Sequence, residues 1–129
     1  MLALADVMTR DVLAVEGAAR LTEAAARMCN RTVGAAVILV GGRLEGILTE
    51  RDVLKAVASG RVGESRVEEW MTRHPEVVSP DDSTDHAAVL MIHGGFRHLP
   101  VVEGDNLVGI VSIRDLMRVT LDDTSPRGA

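Results

Sequence analysis

The sequence predicts an α+β fold made of two copies of one β-α-β-β-α unit, packed about a pseudo-twofold axis. When the 129-residue chain is aligned with itself at an offset of 63, residues 8–54 match residues 71–117 without a gap, and thirteen of the 47 positions are identical. Several other positions exchange like for like, such as Thr49 for Ser112 and Leu48 for Val111. One unit, of about fifty residues, is too small to bury a sufficient core alone. The chain is therefore divided into residues 1–62 and 63–121, which form one pair, and a flexible tail at residues 122–129.

Each repeat shows the same order of predicted elements. A short strand, at residues 13–15 and 76–78, precedes a helix whose apolar residues recur at i, i+3, i+4, i+7 and i+8, so that they form one stripe. The stripe in the first copy consists of Leu21, Ala24, Ala25, Met28 and Cys29. Since Cys29 aligns with Ile92, we assign its thiol to the core rather than to chemistry.

Two apolar runs joined by a turn follow the helix in each copy, and a second helix follows the runs. The runs lie at residues 35–40 and 44–48 in the first copy and at residues 99–102 and 107–111 in the second. Apolar runs of this length on either side of a Gly-containing turn predict antiparallel hairpins. The last helices are predicted to start at Thr49 and Ser112. Residues 58–65 form a linker, and residues 66–71 form a short helical turn.

The phrase GILTERD at residues 46–52 returns as GIVSIRD at residues 109–115, where each predicted hairpin leads into a helix. A hydroxyl residue followed three positions later by an acid is typical of a helix N-cap. The same spacing suits a ribose with a phosphate attached, because a carboxylate can accept bonds from both ribose hydroxyls and a helix start offers free N–H groups. Both interpretations remain open from the residues alone. Gly46 and Gly109 mark places where a ligand or another backbone approaches closely.

Together, these residues resemble a pair of CBS domains, the cystathionine β-synthase domain, of which a tandem pair is called a Bateman module. The resemblance covers residues 7–121 and depends on MTR at residues 8–10 and 71–73, on RHLPVV at residues 97–102 and on the doubled phrase. It implies a stand-alone regulatory module that binds an adenosine-containing ligand, with AMP, ADP or ATP favoured and S-adenosylmethionine or NAD as alternatives. It also implies a homodimer that acts on an unknown effector protein and requires no cofactor.

By the same resemblance, the ligand lies in two clefts between the repeats. The residues assigned to the first cleft are Asp11, Val12, Leu13, Ala35, Ala36, Thr49, Arg51 and Asp52. Those assigned to the second cleft are His74, Pro75, Glu76, Val77, Arg97, His98, Leu99, Pro100, Ser112, Arg114 and Asp115. The acid of each phrase holds the ribose diol, and the hydroxyl residue lies near ribose or phosphate. The second cleft is expected to be the principal site, because Arg97 and His98 can donate to a phosphate where the first repeat has small apolar residues.

Composition and motifs argue against several other functions. The formal net charge of −5 disfavours a nucleic-acid binder, which needs a basic face. No apolar run reaches the length of a membrane span, the first residues do not form a signal peptide, and a lone cysteine excludes an internal disulfide, so we expect a cytoplasmic protein. No residue set has the spacing of a metal site, and no nucleophile motif indicates an enzyme. The alternative from another class is a ligand-free dimerisation scaffold, in which both phrases serve only as helix caps.

Overall fold

The structure, a computed structural model, describes residues 2–124, with residues 122–124 described by their backbone only. This part of the chain contains six strands and five α-helices, arranged in two compact units. The first unit is Val12–Pro75, and the second unit joins Met1–Asp11 to Glu76–Ala129. The units cross the repeat boundaries, since the opening segment of each repeat lies in the unit that carries the hairpin of the other repeat.

In the first unit, a four-stranded sheet packs against two helices. Its strands, in spatial order, are β1 (Ala14–Val15), β2 (Ala35–Val40), β3 (Arg43–Thr49) and β4 (Thr72–Arg73). β1 runs parallel to β2, whereas β3 runs antiparallel to both of its neighbours. The helices are α1 (Leu21–Arg31) and α2 (Glu50–Ser59), and the short α3 (Val67–Trp70) leads into β4. The apolar stripe of α1 places Leu21, Ala24 and Met28 in a core that also contains Ile38 and Leu48.

The second unit repeats this arrangement with shorter outer strands. Its centre is the antiparallel hairpin of β5 (His98–Glu103) and β6 (Asn106–Ser112), and its helices are α4 (Thr84–Gly94) and α5 (Ile113–Thr124). Single bridges stand where β1 and β4 stand in the first unit. Val78 pairs in parallel with Val101, and Thr9 pairs in antiparallel with Ile110. The MTR segment of each repeat thus lies beside the last strand of the other repeat's hairpin.

Glycine is required where each MTR segment meets a hairpin. A Cβ atom on Gly46 would lie 2.8 Å from the carbonyl oxygen of Thr72 and 3.0 Å from the sulfur of the methionine before it. On Gly109, a Cβ atom would lie 2.9 Å from the carbonyl oxygen of Thr9 and 2.7 Å from the sulfur of the preceding methionine. A side chain at either position would push the paired segments apart. The close approach predicted at both glycines is made, in each unit, by another backbone.

The α+β class and the two-repeat organisation are confirmed, and the local differences have identifiable causes. The strand predicted at residues 76–78 is reduced to the bridge at Val78, in a segment bounded by Pro75 and Pro80, which lack the N–H donor that a ladder needs. The assignment of Cys29 to the core is wrong, because the buried positions of α1 end at Met28 and the thiol is exposed.

The connecting and terminal segments also differ in detail from the prediction. The predicted linker contains the last two residues of α2 and a 3-10 turn at Val62–Glu64, and the short helical turn predicted after it is α3. Helix α5 continues to Thr124, so residues 122–124 are helical where a tail was predicted. The remainder of that tail, residues 125–129, lies outside the described residues.

Candidate ligand-binding site

The first candidate site lies in the first unit, where β3 ends and α2 begins. Thr49 is the N-cap of α2 and forms a capping box with Asp52. The amide of Asp52 donates to Oγ1 of Thr49 (3.4 Å), while the amide and the hydroxyl of Thr49 donate to Oδ2 of Asp52 (2.8 and 3.2 Å). The box satisfies two N–H groups that a helix start otherwise leaves without a partner. The capping interpretation of the doubled phrase therefore holds at this junction.

The second candidate site is the matching junction of β6 and α5 in the second unit. The amide of Asp115 donates to Oγ of Ser112 (3.1 Å), and the amide of Ser112 donates to Oδ2 of Asp115 (2.8 Å). The other oxygen, Oδ1, lies 3.9 Å from Nη1 of Arg118, and the Asp115 side chain is only 11% exposed. Capping uses Oδ2 in both units. In each capping carboxylate, Oδ1 is therefore the oxygen that the cap does not use, and in the second unit it faces the exposed Arg118.

Backbone hydrogen bonds reduce the number of N–H groups that these helix starts can offer to a phosphate. The amide of Glu50 donates to the carbonyl oxygen of Gly34 (3.0 Å), and the amide of Ile113 donates to that of Arg97 (2.9 Å). Together with the capped amides of the two aspartates, these bonds occupy the first and third N–H groups of each helix. Fewer N–H groups are therefore free than the sequence suggested. No side-chain pattern signals these bonds, because every residue carries a carbonyl oxygen.

The strands around the first junction bring most residues predicted for the first cleft into one unit. Ala35 pairs with Thr49 in the β2–β3 ladder, and the amide of Val37 donates to the carbonyl oxygen of Leu13 (2.9 Å). Leu13, Ala35 and Ala36 are buried, Val12 is half-buried and Arg51 is exposed. Leu13 and Ala36 belong to the core of this unit, whereas Ala35 and Thr49 pair at the junction itself. Asp11, by contrast, belongs to the second unit.

The residues predicted for the second cleft are divided between the two units. The second unit contains Glu76, Val77, Arg97, His98, Leu99, Pro100, Ser112, Arg114 and Asp115. Within it, His98 pairs with Ser112 across the β5–β6 ladder, and the exposed side chains of Arg97 and Arg114 can approach an anion. His74 and Pro75 instead close the first unit. The amide of His74 donates to the carbonyl oxygen of Glu45 (3.1 Å), with φ of 50° at His74.

The described part of the chain carries neither a metal-binding cluster nor a membrane-spanning helix. Among the side chains described, those of residues 2–121, no three from His, Cys, Asp or Glu are grouped to hold a metal ion. No helix within residues 2–124 is both long and apolar enough to cross a membrane. The junctions at Thr49 and Ser112 thus remain the candidate sites that the geometry singles out.

Comparison of the sequence and the structure with those of known proteins identifies the family to which this chain belongs. The CBS domain profile matches this chain twice, at residues 4–59 and 67–122. CBS domain-containing protein YhcV of Bacillus subtilis is 38% identical over 117 residues, which are 90% of this chain and 84% of that protein. The structure of a protein with CBS domains from Burkholderia ambifaria is 32% identical, with a TM-score of 0.91 and coverage of 99% of this chain and 100% of that one. The CBS domain pair of protein MJ0100, in complex with 5′-methylthioadenosine and S-adenosyl-L-methionine, is 26% identical, with a TM-score of 0.90 over 96% of this chain and 99% of that one. The chain therefore belongs to the CBS domain family, as a tandem pair of CBS domains.

Proposed function

We propose that this CBS pair is a regulatory module that binds an adenosine-containing ligand at the junctions of β3 with α2 and of β6 with α5. The observation that carries the proposal is the doubled carboxylate geometry. Asp52 and Asp115 are each fixed by a short hydrogen bond to Oδ2, and the cap does not use Oδ1, which at Asp115 lies 3.9 Å from Nη1 of the exposed Arg118. A carboxylate oxygen held in this way is suited to accept charge-assisted hydrogen bonds from the vicinal hydroxyls of a ribose.

Adenosine, rather than its phosphates, is the part of the ligand that these junctions are best suited to recognise. Two of the first three N–H groups of each helix are already bonded within the protein, so little of the usual anion site remains. The MJ0100 pair, solved with two adenosine-containing ligands, supports the same class of ligand.

We further propose that the second junction binds more tightly than the first. Arg97 is exposed there and can reach a phosphate, whereas Gly34 stands at its position in the first repeat. Arg114 and its counterpart Arg51 are exposed in both repeats and do not distinguish the junctions. AMP, ADP and ATP are therefore the first ligands to test, with S-adenosylmethionine, 5′-methylthioadenosine and NAD beside them. The low exposure of the Asp115 carboxylate strengthens any hydrogen bond that it accepts.

Calorimetry on aspartate variants tests the proposal. A hydrogen bond to a charged group contributes about 1.5–3 kcal/mol, so Asp115→Ala should weaken binding by about ten- to more than a hundredfold. Asp52→Ala should have a smaller effect at low ligand concentration. Ser83→Ala is the matched control, because Ser83 caps α4 by accepting from the amide of His86 (3.1 Å) and its loss removes a cap away from the junction. Equal losses at both aspartates would show equivalent sites, and unchanged affinity in both variants would overturn the proposal.

A second candidate function is a ligand-free homodimerisation scaffold. One observation favours it: both caps are complete without a ligand. A ligand that binds the folded state alone must raise the melting temperature with its concentration. If none of the six ligands does so, the scaffold is the better description. In either case we propose a cytoplasmic homodimer that acts on a partner protein. Ligand control of that partner requires different ligand affinities in two states of the pair.

A further inference from the structure

Large apolar side chains are exposed on the helices of the second unit. Ile92, Met117 and Leu121 are 75%, 56% and 60% exposed. Together with Ile113, they border a groove of about 240 Å³ between α4 and α5. We call this surface face 2. Its lining is almost entirely apolar, and apolar clusters of this kind on a soluble domain mark interaction sites.

The helices of the first unit carry a related but smaller surface at the positions offset by 63. Cys29 is the counterpart of Ile92, Leu54 of Met117 and Ala58 of Leu121. We call this surface face 1. Leu54 is 68% exposed and its neighbour Val57 is 54% exposed, so face 1 presents two protruding side chains beside smaller ones.

Side-chain size favours contact between unlike faces. If face 2 met face 2, the bulky isoleucines and leucines of both copies would compete for one space. If face 1 met face 1, Cys29 and Ala58 of both copies would leave gaps, and Glu50 of each copy would lie on the same interface. If face 2 meets face 1, the groove can receive Leu54, while the small side chains of face 1 leave room for Ile92.

Net charge points the same way. The second unit holds five arginines against eleven Asp and Glu residues, for a formal charge of −6. The first unit holds nine Lys and Arg residues against eight Asp and Glu residues, for a formal charge of +1. Contact between like faces places two strongly acidic units side by side. Contact between unlike faces places each acidic unit beside a slightly basic one, which steers association towards this arrangement.

We infer that face 2 of one copy packs on face 1 of a second copy, so that the dimer is made by unlike faces. This inference rests on the proposed homodimer and names face 1 and face 2 as the two surfaces that form its interface. It predicts that Cys29 of one copy lies close to Ile92 of the other, and that two copies of Cys29 lie apart.

The lone cysteine allows a direct test. Wild-type protein carries its thiol on face 1, and the double variant Cys29→Ser/Ile92→Cys carries its thiol on face 2. Each protein alone, treated with a short bismaleimide, should give little covalent dimer. An equilibrated mixture of the two should give roughly tenfold more, because the interface raises the effective concentration of one thiol around the other. Mass spectrometry of the joined peptides identifies the two positions.

Two controls separate the possible outcomes. In Cys29→Ser/Val40→Cys, the new thiol stands on the exposed end of β2, outside both faces, and its mixture with wild type should give no added dimer. Far-UV circular dichroism verifies that the variants fold. Covalent dimer from either protein alone, without a gain in the mixture, would overturn the pairing of unlike faces. Sedimentation that shows only monomer would overturn the homodimer as well, while the ligand experiments stand or fall separately.

Discussion

Replacing Gly109 with alanine tests whether the MTR segment is held against β6 by backbone contact. The new Cβ would lie 2.9 Å from the carbonyl oxygen of Thr9, an atom fixed by hydrogen bonds that Thr9 and Ile110 exchange in both directions (2.9 Å each). This oxygen belongs to the backbone, and the two bonds hold that backbone in place. A change of side-chain rotamer therefore cannot relieve the contact between the new Cβ and the oxygen. Overpacking of this kind costs about 1–3 kcal/mol. If the pairing opens instead, two hydrogen bonds of about 0.5–1.5 kcal/mol each are lost, which is a similar total.

We therefore expect Gly109→Ala to lower the free energy of unfolding by about 1–3 kcal/mol, measured by urea denaturation. Gly46→Ala should cost a similar amount, since its Cβ would lie 2.8 Å from the carbonyl oxygen of Thr72. Gly63→Ala is the matched control, because no atom other than those of its chain neighbours lies within 4 Å of its Cβ position and its φ is not positive. That change should stay within about 0.5 kcal/mol. If Gly109→Ala is as stable as Gly63→Ala, the backbone contact does not hold the segment and the reasoning is refuted.

Two further changes test the cores of the units. Ser65→Ala should lower the free energy of unfolding by about 1–3 kcal/mol, because Nε1 of Trp70 loses its acceptor (2.9 Å) at a serine that is 5% exposed. The fluorescence of Trp70, the only tryptophan, follows unfolding in urea, and an unchanged midpoint would contradict the bond. Val111→Ala, at 0% exposure, should cost about 2 kcal/mol or more, whereas Val40→Ala, at 60% exposure, should cost less than about 0.5 kcal/mol. Equal losses in calorimetric melting would show that β6 does not form the core.

The internal repeat predicted both hairpins and both helix junctions. Ala35 pairs with Thr49 and His98 pairs with Ser112, which is the same register one repeat apart. This register follows from the sequence because the apolar runs and the turn between them fix which residues can face each other. The doubled phrase correctly located each N-cap. The phrase could not distinguish capping from ribose binding, because one oxygen of the carboxylate can accept the capping hydrogen bond while the other accepts from a ribose.

Two features lay beyond the sequence for physical reasons. The bridge between Thr9 and Ile110 joins residues about 100 positions apart, and no local pattern encodes a pairing at that distance. The exposure of Cys29 and Ile92 was missed because the alignment identifies equivalent positions without showing what covers them. Apolar residues are common on protein surfaces, so an apolar type does not by itself assign a side chain to the core.

The MTR segment of each repeat pairs with the hairpin of the other repeat. This pairing sets the order in which the two units can form as the chain leaves the ribosome. The first unit is contiguous and is complete once Pro75 has emerged. Thr9 can pair with Ile110 only after about 100 further residues have been synthesised, whereas Gly46 and Arg73 are separated by about 27 residues. Closing the longer loop therefore costs about 1.2 kcal/mol more in chain entropy. We expect the first unit to fold during synthesis while the N-terminal segment waits without its strand partner. During that interval the N-terminal segment can pair with the β6 strand of another chain. We therefore expect domain swapping between two copies to occur where several chains are synthesised close together.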